Sequence, residues 1–147
     1  MRKVTKHRLI QINDDLFSLI VRTWNNYICE FCHTKTNHVE VHHIIGRDNK
    51  AVRWDFQNGI SLCYFHHRFW IHGGKMTDEK RIEFYESILG NDYDELKIRA
   101  RRVVKFNLEF CIENFIRLYN IAMAENLEPW KIVPRYIVKE LYEEVKE

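Results

Sequence analysis

Two pairs of soft ligands stand out in this chain: Cys29-x-x-Cys32 and, thirty residues further on, Cys63-x-x-His66. A two-residue gap lets one tight turn present both side chains of a pair to a single ion, and Zn²⁺ takes four N or S ligands tetrahedrally. Two such pairs predict a closed, structural zinc site pinning the ends of an intervening two-stranded element. Its binding energy would then be folding energy for a weakly hydrophobic segment. His66 and His67 are adjacent, and the two-residue spacing favours His66 as the fourth ligand. A DNA-reading finger needs about twelve residues between its second Cys and first His. Only nine separate Cys32 from His42, so that reading is set aside.

Between and beside the pairs lie His42-His43-Ile-Ile, Asn58 and His67. Neutral imidazoles can ligate a divalent ion or take a proton near neutral pH. The pattern Cys-x-x-Cys, His-His-Ile, Asn, Leu-Cys-x-x-His-His resembles the HNH nucleases, whose ββα-metal fold wraps one divalent ion. The nine-residue step from Asn58 to His67 and the run Asn58-Gly-Ile-Ser-Leu62-Cys63 carry the likeness, which covers about residues 27–72. A looser resemblance runs further, through His42-His43-Ile-Ile-Gly-Arg47, Arg53-Trp54-Asp55-Phe-Gln-Asn58-Gly59 and Leu-Gly-Asn-Asp-Tyr-Asp-Glu-Leu96. These look like phage-borne HNH proteins, including recombination nucleases of the NinG type.

The resemblance implies a role for each matching residue. His42 and His67 would ligate a catalytic divalent cation (Mg²⁺, Mn²⁺ or Ni²⁺), His43 would be the general base, and Asn58 would hold the loop that orients His43. Cys29, Cys32, Cys63 and His66 would hold structural Zn²⁺. Two departures stand out: His66 replaces the usual fourth Cys, and His rather than Asp sits at 42. The second removes a negative charge and shifts preference from hard Mg²⁺ toward Mn²⁺, Ni²⁺ or Zn²⁺. The implied activity is a DNA endonuclease that hydrolyses phosphodiesters by a one-metal mechanism, leaving 5′-phosphate and 3′-hydroxyl ends. Two alternatives stay open: a non-catalytic zinc module binding nucleic acid or a partner, and a phage resolvase of branched DNA. Arg47, Arg53 and Arg68 are the candidate phosphate contacts, with Lys50 and Lys75 nearby; a solvated loop charge is the alternative for each. His72 could add a ligand or simply pack beside the knuckle. Trp54 and Trp70 could stack on bases, but burial suits them better.

These residues need a frame. A chain of 147 residues with 46% apolar and 30% charged residues is long enough for one soluble, globular domain. The basic opening is not followed by an apolar signal core, so neither secretion nor membrane insertion is expected. A cytoplasmic protein follows, in the host cell if the source is a phage. Residues 1–75 hold eleven Lys/Arg against six Asp/Glu and all eight histidines; residues 76–147 hold twelve against fifteen. A basic, His-rich half suits a polyanion, and DNA, duplex or branched, is the expected partner.

The expected fold is α+β and mostly helical: a zinc-anchored ββα-metal core over 25–74, an N-terminal helical segment over 1–24 and a helical extension over 76–147. Asn13 is read as the cap of a first helix whose inner face is Leu16, Leu19, Ile20 and Trp24. Short strands are expected at Val39–His42 and Ile60–Leu62, and a helix from Tyr64 to Ile71 closed by Gly73-Gly74. Thr77 caps a helix with Ile82, Tyr85 and Leu89 inward and Gly90 at its end. One long helix is expected from Asp92, its stripe running through Leu96, Val103, Val104, Leu108, Cys111, Phe115, Leu118 and Ala122. That stripe reads as core, Cys111 included, with a homodimer seam as the lesser reading. A last helix after Pro134 carries Ile137, Leu141 and Val145.

Overall fold

A computed structural model of the protein describes residues 3–143. Helices account for 56% of it, with one two-stranded sheet, a mixed α/β composition. Among the described residues no helix is long and apolar enough to cross a membrane. Contacts divide the chain into two compact units, one ending at Ile20 and resuming at Lys105, the other spanning Val21–Val104.

The first unit is helical. Helix α1 runs Lys6–Trp24, earlier than the Asn13 cap predicts, because the Thr5 hydroxyl caps it by accepting from Arg8 N at 3.2 Å. Leu9, Ile12, Leu16 and Ile20 recur at helical steps and are buried, with Phe17 beside them. Asn13 therefore lies inside the helix on the buried face, where its Nδ2 donates to the Cys111 carbonyl at 3.0 Å. Helix α4, Leu108–Ala124, buries Cys111, Phe115, Leu118 and Ala122 as the stripe predicts. Helix α5, Arg135–Val138, continues as a π turn, Lys139–Glu143; Ile137 and Leu141 are buried, while Val145 lies outside the described residues.

The single long helix expected from Asp92 does not form. Helix α3 covers Asp92–Ala100 and the chain then runs without regular secondary structure to Asn107, which starts α4 afresh by accepting from Phe110 N at 3.0 Å. Asn49 takes the carbonyl of Ala100 at 2.9 Å, satisfying one of the groups a continued helix would use. Val103 is fully exposed and Leu108 partly so, so neither belongs to a core stripe.

The second unit holds strands β1, Glu40–His43, and β2, Gly59–Leu62. They pair antiparallel with His42 opposite Ile60 and His43 opposite Gly59. A 3₁₀ turn, Phe56–Asn58, leads into β2, and a π-helix, His66–Ile71, follows it. Helix α2, Asp78–Leu89, is capped by Thr77, which accepts from Lys80 N at 3.3 Å, and ends at Gly90 in left-handed conformation (φ 57°). Tyr85 is buried as expected, but Ile82 is exposed and Leu89 only half-buried. The core here gathers Cys29, Ile60, Leu62, Ile71, Met76 and Tyr85. Trp54 is buried, and Trp24 is exposed rather than inward.

Candidate metal centres and the loop between them

Cys29, Cys32, Cys63 and His66 come together with ligand atoms all within 4.8 Å of one another. The turn bearing the first pair is held by Cys29 N to Thr34 O (2.9 Å) and His33 N to Cys29 O (2.7 Å), with His33 left-handed at φ 60°. The second pair lies at the exit from β2: Cys63 directly follows the strand, and its carbonyl accepts from His67 N at 2.9 Å in the first turn of helix. Glu30 ties the two pairs together. Its N–H donates to Ser61 O at 2.9 Å and its carboxylate accepts from Ser61 N at 3.0 Å, and burial pushes that carboxyl up.

The separations fit zinc. Cys32 and Cys63 sulfurs are 3.9 Å apart. Two thiolates at ~2.3 Å from one tetrahedral ion stand about 3.8 Å apart. His66 Nδ1 is 3.1 Å from the Cys63 sulfur and 3.9 Å from the Cys29 sulfur. These bracket the roughly 3.6 Å of a tetrahedral S–N edge. All four cysteines of the chain are free thiols. A bond with the Thr34 hydroxyl brings the Cys32 thiol down to about 7, and burial raises that of Cys63. Burial likewise holds His66 below the ordinary histidine value, favouring the neutral ring a metal needs. This cluster could bind a metal ion such as zinc.

A second cluster collects His42, His67 and His72, again within 4.8 Å. His42 comes from β1 and the other two from the π-helix and its C-terminal cap. An α-helix would set residues five apart about 140° around its axis. In the π turn His72 N instead donates to His67 O at 3.2 Å, and the two Nε2 atoms approach to 3.1 Å. Two nitrogens at ~2.1 Å from one ion and at right angles stand about 3 Å apart, so this pair can share a metal. Gly73 permits the tight exit, since a Cβ there would collide with the Phe69 carbonyl.

Two of the three rings have an outer partner. His67 Nδ1 donates to the Glu40 carboxylate at 2.8 Å, leaving Nε2 for the shared gap. Burial works against the Glu40 charge, but the bonds from His67 and Arg68 prevail and keep its carboxyl below the usual range. His42 Nε2 lies 2.7 Å from the Tyr85 hydroxyl of α2. Burial, then the charges of His67, His72, His43 and Arg81, bring His42 down to about 3, and burial lifts Tyr85 to about 12. Burial first and His67 second also lower His72. His42 and His72 are thus neutral at pH 7, as ligands must be.

His43 is outside this group. Its Nε2 sits 3.0 Å from the Arg53 carbonyl, which can only accept, so Nε2 carries the proton and Nδ1 the lone pair. Asn58, fully buried, holds that loop with three bonds: Oδ1 accepts from Ile45 N (2.7 Å), and Nδ2 donates to Ile45 O (2.9 Å) and Val52 O (3.0 Å). Arg99 braces the turn before Asn58, forking onto Asp55 at 2.6 and 3.2 Å and reaching Gln57 at 2.6 Å.

Of the candidate phosphate contacts, Arg47 is exposed, Arg53 donates to the Arg47 carbonyl at 3.3 Å, and Arg68 is drawn to Glu40 at 3.1 Å. Sequence reasoning missed Glu40, Arg81 and Arg99 and gave Tyr85 only a packing role. Glu40 had a signal, since it precedes His42 by two and so shares its face of the strand. Arg99 had none, because its partner is 44 residues away. Comparison of the chain with protein-family models, curated proteins and solved structures returns no match.

Proposed function

We propose that this chain is a metal-dependent DNA endonuclease of HNH type, with Cys29, Cys32, Cys63 and His66 holding structural zinc. The observation that carries the reading is the interlock at residues 42, 43 and 58. Asn58 clamps the loop whose Arg53 carbonyl sets the tautomer of His43, while the neighbouring His42 joins a cluster able to hold an ion. His43 Nδ1 takes the proton of the attacking water, which typically contributes about 10²–10⁴-fold. His42, His67 and His72 would hold a divalent ion, which when bound would supply charge stabilisation for the phosphate and the leaving 3′-oxygen. Glu40 orients His67, and Tyr85 orients His42. Inner ligands that are all imidazole favour Mn²⁺, Ni²⁺ or Zn²⁺ over Mg²⁺. The products are 5′-phosphate and 3′-hydroxyl ends.

Nicking of supercoiled plasmid with Mg²⁺, Mn²⁺ or Ni²⁺ tests this reading. His43→Ala should lower the rate by about 100-fold or more with fold and DNA binding intact. Activity within a few-fold of wild type overturns the assignment. A wild-type protein that binds DNA but nicks nothing, four-way junctions included, makes this a non-catalytic zinc module. Strong preference for the junctions over linear duplex would make it a resolvase.

A further inference from the structure

The arginines around the two clusters are mostly committed. Arg68 is paired with Glu40, Arg99 with Asp55 and Gln57, and Arg53 with the Arg47 carbonyl. Arg81 differs. Its Nε is sealed from solvent with no hydrogen-bond partner among the described residues, and its guanidinium holds only a 3.4 Å contact with Asp78, an exposed carboxylate. The exposed part of the guanidinium is therefore held by nothing stronger than a solvated carboxylate, which leaves it available to a better-placed anion.

Its position says which anion. Arg81 precedes Tyr85 by four residues on α2, so the two project from one helix face. Tyr85 touches His42 at 2.7 Å, which directs that face to the imidazole cluster. We propose that Arg81 is a phosphate-binding residue, gripping an oxygen of the nucleic-acid strand whose neighbouring phosphate meets the His42–His67–His72 cluster. This rests on the nuclease reading above and adds to it a substrate contact from outside the 27–72 segment. A guanidinium fork matches two phosphate oxygens, whereas an ammonium makes a point contact. A phosphate arriving there exchanges the long, exposed Asp78 contact of the terminal guanidinium nitrogen for a closer one, while the sealed Nε holds the stem in place.

The test measures binding of a short fluorescein-labelled DNA duplex by anisotropy across a salt series, in the His43→Ala background so that strands stay whole. Arg81→Gln, which keeps the buried stem, should weaken binding about 10-fold, and the slope of log K against log salt should fall by about 0.9, one phosphate contact. Arg81→Lys should keep the slope yet bind several-fold more weakly. Metal content and circular dichroism should match the parent in both. Parent-like affinity and slope in folded, metal-loaded Arg81→Gln overturn the proposal while leaving the nuclease reading in place. If Arg81→Gln does not fold, Arg81→Lys decides: parent-like affinity there overturns the fork. A parent that binds no duplex brings down both.

Discussion

Cys29, Cys32, Cys63 and His66 form a four-point site propped by backbone hydrogen bonds, whereas His42, His67 and His72 form a three-point site propped by the side chains of Glu40 and Tyr85. Four soft ligands complete a tetrahedron and leave nothing for a substrate. Three imidazoles leave positions open, and their supports can change one at a time without unmaking a turn. The same 44 residues, from Cys29 to His72, thus hold one cluster with enough ligands to close around a metal ion and another with positions to spare.

The largest effect that would break this contrast is on the four-ligand clamp. Cys63→Ser removes a thiolate that touches both halves of the knuckle, and structural zinc binding is worth on the order of 10 kcal/mol. The cooperative melt of the 21–104 unit should vanish along with the bound metal; a variant that melts like wild type would strip the clamp of its folding role.

A smaller effect separates the clusters by pH. His42 ionises near 3 when folded and near 6.5 when not, the depression arising mainly from burial. The unfolded chain therefore takes up a proton that the folded one refuses. The stability is whole above about pH 6.5 and is lost as pH falls toward 3, by at most about 1.4 kcal/mol per unit. Denaturant titrations should show a steeper loss between pH 6 and 4, roughly, in wild type than in His42→Gln. The difference isolates this ring from acid loss of the thiolates, and equal slopes would refute it.

The smallest expected effect sharpens the contrast further. Tyr85→Phe removes one outer partner of His42 and should weaken metal binding at the histidine cluster by about 10-fold while the knuckle keeps its ion. Calorimetric titration of Mn²⁺ into protein with a loaded knuckle reads this directly. An unchanged affinity would leave the Tyr85 hydroxyl with a packing role alone.

Much of the local structure was legible. Thr77 and Gly90 bound their helix because capping needs only side chains next to the orphaned groups. The thiolate pairs meet as spacing predicts, since a two-residue gap fixes a turn whatever surrounds it. Errors arose where distant groups compete for the backbone. Asn13 looked like a cap and is a buried donor to Cys111 O, and the long stripe after Asp92 broke where Asn49 takes the Ala100 carbonyl.

By itself, then, the sequence determined the ligand types and the two pairings, consequences of short-range geometry, while the resemblance to the HNH motif pointed to Asn58 as the residue that steadies the loop. The tertiary structure alone decided that His72 stands beside His67, because only a π turn brings residues five apart to one side. It alone set Tyr85 against His42. Those neighbours are joined through space by packing of α2, and no periodicity along a chain encodes which side chain lies across a gap.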